Sequence, residues 1–516
     1  MSTVADVVVA GAGHNSLVTA AYLARGGFEV LVLEERPVVG GNTATEELTL
    51  PGFLHDSCST AHNLIQASPA LGELRLAEEY GLEYLQPDPV VHVVFGDGES
   101  FTQWRDLERT CEEFARFSAR DADAYRRLIA DYDAAKGAFG TYRNNPIGRA
   151  PRPDEVLDAT WRRRLAMSAW DVIRAEFEDP RSQAFMLWMA FMTVQPCDRP
   201  GTGLLAYSLV YGRQQHSWTL PRGGSAELPL ALARLIEDHG GSVVTGARVS
   251  GLVLEGGRCV GVETEGGETY RARRAVVSTV HVKHLVEMAP REAWGEEFLY
   301  GADRWREGVC LFPAHYATTE APTFPAADGQ VTPVAAGVAP SVDRVLRVGS
   351  DVGRGLLALD DPPLLVVCGS VADESRTPAG QHALKVIGFH PYELADGGAA
   401  RWDEVKEDAA RRNLEQLARF APNMAGDTIL ATLVKSPPDL ERMNAHNWHG
   451  TCHGGDMSPA QSGALRFAPR TPIEGLYQTG GTTHPGGSVS AAPGRNTAIV
   501  LLEDLGTSLE EVVAGA

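Results

Sequence analysis

An α/β fold interrupted by an inserted α+β lobe is what the sequence predicts, and three stretches carry that prediction. Near the start, Val7-Val8-Val9-Ala10 runs into Gly11-Ala12-Gly13-His14-Asn15-Ser16. In the middle, Val243-Val244 and Arg274 to Thr279 return to the same apolar texture, and Leu476-Tyr477-Gln478-Thr479-Gly480 repeats it near the end. Each reads as a buried strand beside a helical pattern, so one sheet is assembled from three separated parts of the chain.

The first stretch is the most specific. Asp6 to Ala10 predicts a strand, Leu17 to Arg25 a helix whose alanines allow close packing, and Glu29 to Leu33 a second strand ending in a carboxylate. In such a unit Gly11 permits the tight turn, and Gly13 admits backbone N–H groups to a pyrophosphate at the helix N-terminus. Glu34 is placed to accept from ribose hydroxyls, with His14, Asn15 and Glu35 beside it. Ser16 stands where the motif has its third glycine; that glycine serves helix packing, so a small Ser is expected to be tolerated. A chance glycine turn would lack the flanking strands, the terminal acid and the following Gly40-Gly41 pair, and the stretch therefore reads as a dinucleotide site.

Further along, Asn42 to His62 is expected to run beside the cofactor. Leu71 to Tyr80 predicts a helix, and Val90 to Phe95 with Ser100 to Trp104 a hairpin. From Asp106 the texture changes: Glu108 to Lys136, Trp161 to Phe177 and Gln183 to Thr193 are helical patterns joined by Pro-rich loops. The sheet texture resumes with a helix from Ala226 to His239 and meander strands at Val249 to Leu254, Cys259 to Thr264 and Glu268 to Ala272. A mixed region follows, with strands at Leu364 to Gly369 and Ala383 to His390 and a helix at Trp402 to Phe420. The last helix is Gly494 to Leu505. The expected division is a discontinuous cofactor domain of 1–88, 217–290 and 470–516, and a substrate lobe of 89–216 and 291–469.

The 516 residues leave room for this arrangement, and 44% hydrophobic with 22% charged residues is globular composition. A net charge of −21 disfavours nucleic acid and anionic lipid surfaces, which are bound through excess Lys and Arg. Seven single cysteines without a Cys-x-x-Cys pair imply neither a disulfide scaffold nor a redox-active dithiol. With no leader pattern and no uncharged run long enough to span a membrane, a cytoplasmic location is expected; an oligomer is compatible with the sequence.

The order of these elements resembles flavoproteins of the glutathione-reductase-like FAD superfamily. Within it, Gly11-Ala12-Gly13-His14-Asn15-Ser16-Leu17-Val18, Thr45-Glu46-Glu47 and Pro51-Gly52-Phe53 resemble the phytoene-desaturase-related branch. So do Pro221-Arg222-Gly223-Gly224, Thr377 to His382, Met457-Ser458-Pro459 and Gly480-Gly481-Thr482-Thr483-His484-Pro485-Gly486-Gly487. That branch contains carotenoid desaturases and ketolases, retinol saturase-like enzymes and pyridine-nucleotide-disulfide-oxidoreductase-domain-2 proteins. The resemblance implies a glutathione-reductase-like FAD-binding Rossmann domain with an inserted substrate lobe. It also implies that Gly11, Gly13 and Glu34 hold the adenosine half, while Gly40, Gly41, Asn42 and Thr43 line the pyrophosphate and flavin edge. Arg248 and Val249 would reach the adenine side, and Gly480, Gly481, Gly487, Ser488, Val489 and Ser490 would lie under the isoalloxazine. Ser488 replaces a glycine common there.

No second glycine-rich strand–helix unit marks an NAD(P)H domain, so hydride is expected to pass from a small organic substrate to FAD, with oxygen or another external acceptor reoxidising it. A base for a second proton is sought among His484, His453 and His55. His484 is the first choice, though a His before Pro can equally bond the backbone. His446, His449, Cys452, His453 and Asp456 are dense in potential ligands but lack a closed zinc spacing, so no metal is expected. Phe185, Trp188, Met189, Phe191 and Met192 read as core or as the wall of an apolar tunnel, with Tyr207, Tyr211 and His216 beside them. A dehydrogenase or oxidase leads these readings. A carotenoid-type desaturase or ketolase, a redox-neutral flavin isomerase and a flavin-holding module without turnover are the alternatives.

Overall fold

The computed structural model describes residues 3–515. Its first sheet has seven strands. β1 (Thr3–Ala10), β2 (Val30–Glu34) and β3 (Ser242–Thr245) run parallel in that order. On the other side of β1 lies β6 (Thr269–Ser278), reached through the meander of β4 (Val249–Glu255) and β5 (Arg258–Thr264). β6 divides its free edge between two partners. Its first residues pair antiparallel with β5 at Thr269, Tyr270 and Arg271, and its last, Val276 to Ser278, pair parallel with β7 (Leu476–Gln478). One long strand thus joins the meander to the C-terminal strand.

β1, β2 and β6 alternate between two buried faces, as central strands covered on both sides must. Val7, Val9, Val30, Val32 and Val277 pack against α1 (His14–Arg25), α2 (Glu227–Asp238) and α3 (Ala492–Asp504). Val8, Leu31, Leu33 and Val276 face the opposite layer, which contains Trp294 and Trp305. α1 crosses α3 so closely that a Cβ on Gly494 would lie 2.1 Å from the Asn15 carbonyl oxygen, and the Thr19 hydroxyl donates to the Gly494 carbonyl at 2.8 Å. The packing role expected of a third motif glycine is supplied by Gly494, on the partner helix.

The second seven-stranded sheet has the order Ile429–Val434, Cys310–Thr318, His382–His390, Leu364–Cys368, Ala335–Ala339, Val91–Phe95, Ser100–Gln103. Only Ala335–Ala339 against Val91–Phe95 is parallel within it. Its alternate residues again face two cores. Leu364, Val366, Leu384 and Val386 pack under the Trp402–Ala418 helix, while Leu365, Val367, Ile387 and Phe389 face the helices of the 107–216 region.

Several expected helices are split where a side chain caps a new N-terminus. The pattern at Glu108 to Lys136 forms Leu107–Ala115 and Ala119–Arg143, because the Ser118 hydroxyl accepts the Asp121 N–H. Trp161 to Phe177 divides in the same way at Ser168. Leu71 to Tyr80 forms two short helices, Ala70–Glu73 and Leu76–Tyr80, broken at Arg75 with φ 50°. Of the second sheet's strands, periodicity did not resolve three in the mixed region, Cys310–Thr318, Ala335–Ala339 and Ile429–Val434.

The α1–α3 crossing leads to a direct expectation. Gly494→Ala should lower stability by about 3 kcal/mol, an overpacking cost with backbone on the opposing side. Denaturant unfolding reads it; an unchanged midpoint would show that the helices can separate freely.

Candidate active site

A cavity of about 750 Å³ runs between the first sheet and the second-sheet side of the chain. Gly11 opens its floor at φ 94°, donating its N–H to the Leu33 carbonyl at 2.7 Å, and a Cβ there would stand 2.5 Å from Thr279 Cγ2. Gly40 is tied to the same turn, its N–H donating to the Ala12 carbonyl at 2.8 Å. Ser16 does more than fit: its hydroxyl is shared between the Gly11 and Gly13 carbonyls at 2.6 and 2.9 Å.

Gly13 differs from Gly11. Its φ of −68° suits any residue, and an added Cβ would meet no protein atom nearer than 3.9 Å. Neither backbone conformation nor packing requires glycine here; its bare Cα leaves the cavity floor clear. α1 starts at the next residue without a side-chain cap, so its first amides present a positive helix end to that floor. This terminus fits a cofactor pyrophosphate.

Glu34 and Glu35 line the cavity on one side. The Glu34 carboxylate accepts from the Ala12 and Arg36 N–H groups at 2.8 and 2.9 Å, and burial raises its pKa despite these bonds. Further lone pairs on both oxygens suit a ribose diol. Arg248 pairs with Glu35 at 3.2 Å, and Val249 completes this end. Asn42 lines the wall, donating to Asn447 Oδ1 at 2.7 Å and the Cys452 carbonyl at 3.1 Å. Thr43, by contrast, is fully buried and lies outside the lining. Its hydroxyl donates to the Gly40 carbonyl at 2.7 Å, so it shapes the turn rather than the wall.

Opposite, the 480–490 loop packs backbone against backbone on the 453–455 segment. A Cβ on Gly487 would lie 2.2 Å from the His453 carbonyl oxygen, and one on Gly454 would lie 2.6 Å from the Gly481 carbonyl carbon. Gly480 has φ 104°. Ser488 has φ 121°, a conformation that favours glycine, which is the cost of replacing it. The Ser488 carbonyl accepts from His14 Nε2 at 3.2 Å, joining the two loops, and burial holds His14 down at about 4 so that it stays neutral. Val489 and Ser490 continue the wall into α3.

The histidines separate. His484 donates Nε2–H to the Tyr142 carbonyl at 3.0 Å, and its Nδ1 is buried without a partner. His453 lines the cavity, and its pKa is lowered by burial to about 4. His446, also in the wall, donates Nδ1–H to the Thr279 carbonyl at 3.0 Å, and so lies beside the Gly11–Gly13 floor. His55 is a correction: it does not reach the cavity. It sits in a separate buried polar layer, Nε2 on the Thr49 hydroxyl at 2.9 Å and its ring edge-on to His315. That layer pins the chain leaving His55 to the second sheet. Lys385 donates to the carbonyls of Asp56, Cys58 and Ser59 at 2.8, 3.2 and 2.8 Å, and Arg376 bridges Asp56 and Asp373 at 2.9 and 3.0 Å.

Sequence reasoning missed the pairing of Cys58 with Cys452, two free thiols that line the cavity together. Cys452 beside it lowers the pKa of the Cys58 thiol. Their separation along the chain hid the pair. His449 and Asp456 do not join them: His449 stacks on Tyr392, and Asp456 pairs with Arg199 at 3.1 Å. Among the described residues, no group of three or more His, Cys, Asp or Glu side chains is placed to hold a metal ion.

The apolar part of the wall comes from Leu205, Leu209, Leu311, Leu365, Ile387 and Phe389. Of the aromatic and methionine stripe only Met192 reaches it, while Phe185, Trp188, Met189 and Phe191 are core. Leu365, Ile387 and Phe389 lie on the cavity-facing side of 364–368 and 382–390, while Leu205 and Leu209 come from the 205–216 helix.

Residues 17–494 match the family model of flavin containing amine oxidoreductase. The chain is 26% identical to one of the limonene dehydrogenase polypeptides of Castellaniella defragrans, over 99% of this chain and 97% of that one. It is 25% identical to the lycopene-forming phytoene desaturase of Pantoea ananas, over 96% and 99% respectively. Among solved structures, a triple mutant of putrescine oxidase shares the fold with a TM-score of 0.65 at 15% identity, covering 98% of this chain and 99% of that one.

Three half-buried wall histidines, His14, His446 and His453, are held near 4 against an ordinary 6.5 by desolvation. The unfolded chain therefore binds protons that the folded chain refuses, so stability is full above pH 6.5 and falls as pH drops toward 4. Each group adds a slope of about 1.4 kcal/mol per pH unit across that window. Urea unfolding should show a steep fall in midpoint below pH 6, roughly where the unfolded histidines titrate; equal midpoints at about pH 7 and 5 would contradict it.

Proposed function

We propose, from the premise that this chain belongs to the flavin containing amine oxidoreductase family, that it dehydrogenates an apolar organic small molecule held over the flavin in the cavity described above. The protein is an FAD-dependent oxidoreductase. Bound FAD supplies the hydride acceptor. The observation that carries the reading is Gly13, a glycine without structural need beside an uncapped helix end on the cavity floor.

The chain's own residues divide the work. The α1 amides and Gly13 hold the pyrophosphate, Glu34 the ribose, and Glu35 with Arg248 frame the adenine end. The 480–490 backbone would lie against the flavin ring. Leucine and phenylalanine side chains from the 205–216 helix and the second sheet exclude water and hold the substrate carbon near the ring. His453 takes the second proton, because it is neutral and free of internal hydrogen bonds, while His484 is turned to Tyr142 and its Nδ1 is covered. A dehydrogenase passes its electrons to oxygen or another external acceptor, and a cytoplasmic location accords with seven free thiols. Among the described residues, no helix is long and apolar enough to cross a membrane. A second reading, desaturation of a longer isoprenoid, is favoured by the nearly full-length likeness to a phytoene desaturase.

Purified protein should carry the visible flavin absorption, bleach anaerobically with a cyclic or linear terpene and recover when an acceptor is admitted. Absence of flavin would refute the reading. His453→Gln should retain FAD and lose about a hundredfold in kcat, the scale of one general base, whereas His484→Gln should change kcat little. The opposite ranking would move the proton to His484.

A further inference from the structure

The 205–216 helix presents Leu205, Ser208, Leu209 and Arg213 to the cavity, one stripe at helical spacing that is apolar at its start and cationic at its end. Arg213 is 4% exposed. Its guanidinium lies 3.6 Å over the Trp218 ring, and its one hydrogen bond within the protein runs from Nη1 to the Met189 sulfur at 2.9 Å. Nε is buried without a partner. Among the described residues no carboxylate pairs with it, in a protein where carboxylates outnumber basic residues by 67 to 46. A guanidinium stays protonated at neutral pH, and a buried charge without a counter-ion is strongly disfavoured. The cation–π contact offsets only part of the desolvation penalty.

A second group points the same way. The Ser59 hydroxyl is buried without a partner in the same cavity wall, and Trp218, under Arg213, donates its indole N–H to the neighbouring Thr60 carbonyl at 2.9 Å. Arg213 and the 59–61 segment thus flank one ring. We propose that this end of the cavity binds the carboxylate of the substrate, making the substrate class an amphipathic carboxylic acid with an apolar hydrocarbon body. Arg213 pairs with the carboxylate, Ser59 donates to it, and the leucine stripe carries the hydrocarbon toward the flavin. One guanidinium matches one monoanion. The inference rests on the cavity's being the substrate site of a flavoprotein.

The test compares decanoate, 1-decanol and decyl phosphate as ligands of the FAD-loaded protein, by calorimetry and by perturbation of the flavin spectrum. Decanoate should bind at least about tenfold tighter than decanol, a 1.4 kcal/mol difference, and tighter than decyl phosphate. In Arg213→Met the preference should vanish with flavin content unchanged, and in Arg213→Lys it should persist in part. Equal binding of acid and alcohol, no binding of decanoate, tighter binding of the phosphate, or a preference that survives in Arg213→Met would each overturn the anchor. If no variant folds, the wild-type comparison decides alone. Protein that purifies without flavin would instead contradict the proposed function.

Discussion

A helix terminus left open to a cavity organises this molecule. Among the described residues the first amides of α1 have no side-chain cap and no acceptor, and unsatisfied backbone donors are tolerated only where another partner is provided. Holding that terminus open takes several residues outside the cavity lining. Ser16 binds two turn carbonyls, Thr43 holds the Gly40 turn, and the bare Cα of Gly494 lets α3 press α1 against the sheet. The floor is rigid because these contacts are made to backbone.

The roof depends on a different interaction. The second sheet is covered on both faces, so one set of its alternate side chains is free to line the cavity while the other packs under the Trp402–Ala418 helix. Lys385 and Arg376 join this sheet to the chain that leaves the cofactor turn, through buried charges satisfied by carbonyls and carboxylates. The geometry between the Gly13 floor and the second-sheet wall therefore rests on fully bonded polar groups, which are costly to break one at a time. Arg213 is the contrast: a buried charge in the same wall that no carboxylate among the described residues pairs with.

The Rossmann unit is legible in the sequence because its physics is local. Strand, glycine turn, helix and acid follow within 34 residues, and 17 of the 18 residues named for the cofactor line one cavity, Thr43 alone standing behind it. The catalytic side is not legible, since its residues meet only through the fold. His55 and His484 stand out for their neighbours in sequence; the first lies in a separate buried polar layer, and the second lines the cavity with its Nε2 bonded to the Tyr142 carbonyl. The Cys58–Cys452 pair and the orphaned Arg213 carry no local signature at all. Split helices have a simpler cause, since Ser118 and Ser168 are caps that hydrophobic periodicity overlooks.

The central claim is that the glycine at position 13 exists for a ligand rather than for the polypeptide. Its direct test is the FAD affinity of Gly13→Ala, titrated into apoprotein alongside the unfolding midpoint of that apoprotein. FAD affinity should fall about a hundredfold or more, since the added methyl group occupies the pyrophosphate floor, while apoprotein stability changes by no more than about 1 kcal/mol. Undiminished FAD affinity in a stably folded Gly13→Ala protein would contradict the account.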